Sequence, residues 1–353
     1  MQSVAVLGLG KVGALTAELL VDAGFAVTGY DLAPQGGLKP RYRTASLDVS
    51  DDAALSAALG QADAVLSCLP FFLNTGIARI AHGLGIHYFD LTEDVPTTKA
   101  ILELAQTSKG LMAPQCGLAP GFVGIVAADL IAQFDLCRSC KLRVGALPQH
   151  PTGLMGYSFN WSPEGVVNEY LNDCEVLENG EHKWVSPMEW IEKIVIGGVE
   201  LEAFTTSGGL GTMCETYLGK VPNIDYKTMR YPGHVELMNF FFHELLMRDR
   251  KSEAGEILVN AKPPVEEDVV YIHVSAEGTA DGALARREFV RALKPVEIAG
   301  KSRTAIAWTT ASSVVAVIEM VRDGKLPAQG FLKQEDIPLG TFLTTQNGAR
   351  YAG

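Results

Sequence analysis

No apolar run in this sequence is long enough to cross a bilayer unbroken. The longest late stretch, Ser313 to Val321, is interrupted by Glu319, whereas about twenty consecutive apolar residues would be needed. No membrane partner is expected. No run of basic residues occurs either: 29 Lys and Arg stand against 41 Asp and Glu, a net charge of −12. A nucleic-acid-binding face leaves a basic stripe, so no nucleic-acid partner is expected. A charged start followed by an apolar segment and a cleavage site is missing, and a cytoplasmic location is expected. Cysteine is sparse and scattered, and Cys68, Cys116, Cys137, Cys140, Cys174 and Cys214 suit reduced thiols. Cys137-Arg-Ser-Cys140 is a C-x-x-C without a second pair, set in what reads as a strand, so no metal site is expected. Internal repeats and low-complexity stretches are absent.

Glycine, by contrast, is plentiful, with 36 among 353 residues, and its placement at the start organises the rest. Met1 to Leu7 reads as an apolar strand, Gly8-Leu9-Gly10-Lys11-Val12-Gly13 as a turn, and Ala14 to Ala23 as an amphipathic helix ending at Gly24. A second strand runs to Tyr30, with Asp31 at its carboxyl end. This is the order and spacing of a dinucleotide-binding βαβ unit. Gly8 permits a tight turn, Gly10 lets backbone approach a pyrophosphate, and Gly13 lets the helix pack closely on the sheet. The N–H groups of the helix's first turn, at Lys11 and Val12, face the diphosphate, where the macrodipole favours negative charge. Asp31 accepts the ribose hydroxyls and repels a 2′-phosphate, so NAD is expected rather than NADP. Lys39, Arg41 and Arg43 are the counterargument, since they could neutralise that phosphate.

Strands and helices then alternate. Thr44 to Val49 reads as a third strand that brings Asp48 and Val49 to the adenine, and Ser50-Asp51-Asp52 caps a helix through Leu59. Ala62 to Leu69 is a continuous apolar run, as in a buried parallel strand, and it places Leu69 and Pro70 by the nicotinamide ribose. Thr75 to Leu84 reads as a helix. The strand Ile86 to Leu91 delivers Asp90, Leu91, Thr92, Glu93 and Asp94 to the same edge, where Asp94 equally suits the cap of a helix from Thr97 to Thr107. Gly110 to Ala113 makes a further strand before the helix Phe122 to Phe134. The alternation predicts an α/β fold, a doubly wound Rossmann domain.

Beyond Leu136 the pattern changes. Lys141–Leu147, Tyr157–Trp161, Cys174–Leu177, His182–Val185, Ile194–Thr205, Asn223–Tyr231 and Val269–Ala276 read as strands, several joined by hairpin-like turns such as Asn179-Gly180. Helices are expected at Gly165–Leu171, His234–Met247 and Gly282–Leu293. The expectation is a second, α+β domain with a largely antiparallel sheet over 136–303. Residues 1–135 with 304–353 make the first domain, on which the apolar helix Ala305 to Arg322 packs back.

Three segments together resemble the saccharopine reductase-like family, and within it the lysine 6-dehydrogenases. They are Gln115 to Gly121 (Gln-Cys-Gly-Leu-Ala-Pro-Gly), Tyr157 to Gly165 (Tyr-Ser-Phe-Asn-Trp-Ser-Pro-Glu-Gly) and Asn223 to His234 (Asn-Ile-Asp-Tyr-Lys-Thr-Met-Arg-Tyr-Pro-Gly-His). The likeness runs along nearly the whole chain. It implies an NAD(P)-linked oxidation of an amine in an amino acid, by a homodimer whose second domain forms much of the interface. For a lysine 6-dehydrogenase the product is the ε-semialdehyde, which cyclises. Where this chain has Glu164, the resemblance implies an arginine in saccharopine-type members, so Glu164 disfavours a substrate with three carboxylates and suits an ammonium group.

The chemistry dictates the remaining candidates. An amine must be neutral before it can lose hydride, so a carboxylate or a water chain has to take its proton; Asp90 and Glu93 are candidates, with helix capping or a structural hydrogen bond as the alternative for each. A fixed cation must hold the substrate carboxylate, and Arg230, at a strand end, is the candidate. His234, at a helix start, is either a catalytic group or a neutral residue with no ligand. Tyr157 and Ser162 are candidate polar contacts, Trp161 reads as core, and nothing beside Cys116 suggests an activated thiolate. A saccharopine- or carboxyspermidine-type condensing dehydrogenase is the alternative within the enzyme class. A non-catalytic NAD sensor is the alternative outside it.

Overall fold

The computed structural model describes residues 1–34 and 40–352, so Lys39 lies outside the described residues. The chain divides into two compact units, Met1–Ile125 with Ala307–Gly353, and Val126–Ile306.

The first unit holds strands β1 (Ser3–Leu7), β2 (Ala26–Asp31), β3 (Arg43–Ser46), β4 (Ala64–Ser67), β5 (His87–Asp90) and β6 (Leu111–Ala113). Between them run helices α1 (Lys11–Asp22), α2 (Asp52–Leu59), α3 (Phe71–Leu84) and α4 (Val95–Ala105), and α5 (Phe122–Ile131) follows. With a short strand at Gly330–Phe331, all pair in parallel in the order Gly330–Phe331, β6, β5, β4, β1, β2, β3. β4 is buried at every position, as its uninterrupted apolar run demands, while β3 is exposed at every position, as an edge strand. The third strand is shorter than Thr44–Val49, and Asp48 and Val49 lie beyond it. The strand order reverses between β1 and β4, which puts the ligand-binding crevice of such sheets at Gly8 and Leu69. Ala305–Arg322 is long and apolar enough to cross a membrane by composition, but 83% of it is buried in the fold. Tyr351 donates to the Thr309 carbonyl of this helix and stacks on Phe122.

The second unit is built on β7 (Leu136–Pro148), β8 (Cys174–Glu178), β9 (Glu181–Val185), β10 (Glu192–Ile196), β11 (Val199–Thr205), β12 (Asn223–Arg230), β13 (Asp268–Ala280) and β14 (Ala283–Leu293). The sheet runs β10-β11-β12-β7-β13-β14, with the β8–β9 hairpin beside β12. Every pairing is antiparallel except β12 with β7. Helix α6 (Pro163–Leu171) contributes Val166, Val167 and Tyr170 to a core shared with Leu201, Phe204 and Met229.

Four expectations for this unit are corrected. Ile194–Thr205 is a hairpin, β10 and β11, turned at Gly197-Gly198. Gly282–Leu293 is strand β14, not a helix: Asp281-Gly282 is a hairpin turn of the Asp-Gly kind. Its Arg286, Arg287 and Arg291, set among apolar residues, imitate an amphipathic helix. Tyr157–Trp161 is irregular, held by the Asn160 amide, which donates to the Val265 carbonyl and accepts from its N–H. The helix from His234 is α-helical only to Asn239, then passes through a π turn, Phe240–Glu244, and a separate helix covers Lys251–Ala261.

Candidate active site

The glycine turn has the geometry that its sequence implies. Gly8 has φ +86°, and a Cβ on Gly13 would lie 1.8 Å from the Gly8 carbonyl oxygen. The helix start is thereby pressed against the turn. A Cβ on Gly10 would meet nothing within 4 Å, so at the α1 N-terminus there is open space where a diphosphate fits. No acidic residue occupies the first turn, where Lys11 and Val12 begin the helix, and the macrodipole there is left for a ligand anion. These residues fit a nicotinamide dinucleotide.

Asp31 ends β2 and is tied back to the turn: Oδ2 accepts from the Leu9 N–H at 2.8 Å and Oδ1 from the Ala33 N–H at 3.2 Å. The carboxylate thus sits where a ribose must lie. Leu9 covers Gly29, whose Cβ would come within 2.7 Å of it; the glycine spacing did not single out Gly29. Arg41 pairs with Asp22 on α1, and Arg43 opens the exposed edge strand. Asp48 is the residue expected at the adenine. It is exposed and accepts from Ser50 N–H and Oγ–H, bonds that hold its pKa below the usual carboxylate range. Val49 packs on the apolar core. Leu69 lies against Gly8, and Pro70 starts α3.

Beyond β5 the carboxylates separate into distinct roles. Asp90 is fully buried, with Oδ2 accepting from Tyr88 O–H at 2.7 Å and Oδ1 from the N–H groups of Thr92 and Gln115 at 3.0 and 2.9 Å. Burial lifts its pKa to about 6, but every oxygen is engaged, so it is a strut between the ends of β5 and β6 rather than a base. Asp94 caps α4 through Thr97. Leu91 and Glu93 are half-buried and Thr92 is buried. Glu93 has its pKa pushed up to about 7, first by burial and then by the charges of Asp94 and Asp90. That suits a proton acceptor near neutral pH. Cys116 is buried against the Ala113 carbonyl and Gln334, and burial drives its thiol far above the ordinary value; no thiolate forms there.

In the second unit Arg230 is 2% exposed. Its Nε donates to Tyr170 Oη at 2.9 Å, and NH1 donates to Thr228 Oγ1 and the Met229 carbonyl at 3.0 and 2.9 Å. Its guanidinium lies 4.5 Å from the centre of the Tyr157 ring, a cation–π contact. NH2 has no hydrogen-bond partner among the described residues. The Tyr157 hydroxyl, also buried, has no partner of hydrogen-bonding geometry among the described residues. The carboxylate whose charge bears on Arg230 is Glu169, not Glu164. Glu164 and Ser162 are exposed: Ser162 caps α6 by accepting from the Gly165 N–H and donates to Glu164. Glu164, expected to meet a substrate ammonium, is thus bound to the cap of its own helix and is not among the groups whose charge bears on Arg230. Glu169 and Tyr170 were missed, although they follow Val166 at the helical spacing of three and four that marks an inner face.

His234 is likewise not an acid or a base. It is fully buried, Nδ1 lies 3.1 Å from the Met155 carbonyl and Nε2 3.1 Å from Tyr170 Oη. Burial, with the Arg230 charge next, lowers its pKa to about 3, so it stays neutral. Glu202 caps the helix start below it, accepting from the N–H groups of Gly233 and Val235.

Comparison with known proteins points the same way. Residues 4–113 match the saccharopine dehydrogenase NADP binding domain and residues 117–344 the saccharopine dehydrogenase C-terminal domain. Saccharopine dehydrogenase [NADP(+), L-glutamate-forming] of Pyricularia oryzae is 24% identical over 322 residues, covering 83% of this chain and 70% of that protein. Mitochondrial alpha-aminoadipic semialdehyde synthase of Mus musculus is 24% identical over 266 residues, 68% of this chain but 28% of that protein. The apo structure of saccharopine dehydrogenase (L-Glu forming) from Saccharomyces cerevisiae superposes with a TM-score of 0.74 at 18% identity, covering 97% of each chain, which shows a shared fold. With the glycine turn, the carboxyl-edge acids and both matched domains in place, the chain belongs to the saccharopine dehydrogenase family of nicotinamide-dependent oxidoreductases.

Proposed function

We propose that the protein oxidises the side-chain amine of an amino acid, L-lysine at the ε-carbon, with NAD as acceptor. The observation that carries the reading is Arg230: a buried guanidinium with one amino group unpaired among the described residues, flanked by aromatic rings and a neutral imidazole. Such a group suits one carboxylate of a small amino acid. Within the first unit, Glu93, with its pKa near 7, is the group suited to accept a proton from an amine, which must be neutral when it reacts. The dinucleotide accepts the hydride when bound, and the first unit's part is to hold it by the α1 N-terminus and Asp31. Asp31 supports NAD, because its carboxylate would repel a 2′-phosphate, and Arg41 is already paired with Asp22.

A second reading has its own support: the relative from Pyricularia oryzae is an NADP-linked, L-glutamate-forming saccharopine dehydrogenase. We also propose a homodimer, supported by the apolar side chains exposed at the two edges of the second sheet, Ile191 and Val195 by β10 and Leu284 and Val290 on β14. The function is tested by following absorbance at the reduced-nicotinamide band with L-lysine, saccharopine and a panel of other amino acids and polyamines. NAD and NADP are each supplied in turn. Reduction with L-lysine and NAD is the expected result; turnover confined to saccharopine with NADP would replace this reading with the second.

A further inference from the structure

His234 has a place in the anion site that acid–base chemistry does not explain. The Met155 carbonyl can only accept, so the His234 nitrogen facing it, Nδ1 at 3.1 Å, must carry the proton. Nε2 then holds a lone pair and accepts the Tyr170 O–H at 3.1 Å. With its proton committed there, the Tyr170 oxygen presents lone pairs to Arg230, whose Nε–H it accepts at 2.9 Å. Donation therefore runs one way, from Arg230 to Tyr170 to His234 to Met155. The opposite tautomer would leave two acceptors facing each other, the bare Nδ1 and the Met155 carbonyl. Packing fixes the plane of the imidazole, which lies parallel to Phe204, at 12°, and edge-on to Tyr157 with centroids 5.1 Å apart.

We propose that His234 is a positioning residue, a neutral relay that fixes Tyr170 as an acceptor. The Arg230 guanidinium is thereby held in the one orientation that engages Nε and NH1 and leaves NH2 for a substrate carboxylate. The inference rests on the reading of Arg230 as the carboxylate-binding cation. His234 reaches Arg230 only through Tyr170, so its loss loosens the anion site without removing a group that touches substrate.

The test uses the full chain labelled with 15N-arginine, with hydrogen exchange of the Arg230 Nε–H followed by NMR. Three variants are compared: His234→Phe keeps a ring but loses both nitrogens, Tyr170→Phe loses only the hydroxyl, and His234→Gln keeps an acceptor near Nε2. Exchange should speed up about tenfold or more in His234→Phe and Tyr170→Phe, a change of about 1.4 kcal/mol, and stay within about threefold of the unaltered protein in His234→Gln. The Michaelis constant for L-lysine should rise in the same order, with kcat moving less. Unchanged exchange in Tyr170→Phe, or His234→Gln exchanging as fast as His234→Phe, would overturn the relay. If His234→Phe does not fold, the other two variants decide. Arg230→Ala separates the two ideas: an unchanged Michaelis constant there removes the carboxylate reading, while the exchange experiment still judges the relay.

Discussion

Replacing Glu93 by glutamine should remove activity and at the same time make the protein more stable, and the stability gain should depend on pH. In the fold the Glu93 carboxyl is pushed up to about 7 from an ordinary value of 4.5, chiefly by burial. Between these two values the native state holds a proton that the unfolded chain has lost. The stability contributed by the protonated form is complete below about pH 4.5 and declines as pH rises towards 7. With about 1.36 kcal/mol per unit, the cost reaches roughly 3 kcal/mol above pH 7. Glutamine does not titrate, so the variant escapes this decline. Melting curves of the two proteins should lie close at pH 4 and separate steadily towards pH 8, with Glu93→Gln the higher. Steady-state kinetics with L-lysine should show a rate that rises through about pH 7 in the unaltered protein and falls by roughly 10²–10⁴-fold in the variant, the usual worth of a positioned base. A melting gap that stays constant with pH would refute the buried, neutralised carboxyl. A variant that keeps its rate would refute the base.

Asp90 should behave oppositely: Asp90→Ala strands the buried N–H groups of Thr92 and Gln115 and should cost about 1–3 kcal/mol for each. Asp90→Asn, which still accepts, should keep most of the activity; a rate collapse in Asp90→Asn with an unchanged melting temperature would return Asp90 to the chemistry. Asp31→Ala should erode the preference for NAD in kcat/KM ratios, and better use of NADP by the unaltered protein would sink the claim. Gly13→Ala puts a Cβ 1.8 Å from the Gly8 carbonyl oxygen, so NADH fluorescence titration should show binding lost or weakened by more than about tenfold, over 1.4 kcal/mol. Unchanged affinity would mean that the turn does not hold the diphosphate.

Local sequence by itself determined the parallel sheet and its glycine turn. Gly8, Gly10, Gly13 and Asp31 lie within one strand–helix–strand, so their spacing carries their geometry. The uninterrupted apolar run of β4 and the Asp94 cap of α4 are equally local, and both were legible. Where a signal was ambiguous at short range, the reading slipped. The charges of β14 suit a helix face as well as an edge strand, and only its pairing with β13 along eleven residues decides between them. Tertiary structure alone decided how Arg230 is held, because Arg230 and His234, from one segment, meet Tyr170 and Met155 from two others, and no spacing in sequence orders their hydrogen bonds. It also decided what each acid does. Asp90 and Glu93 are three residues apart, but one has every oxygen engaged by surrounding donors while the other is left half-buried beside like charges, and protonation follows burial and neighbours rather than residue type.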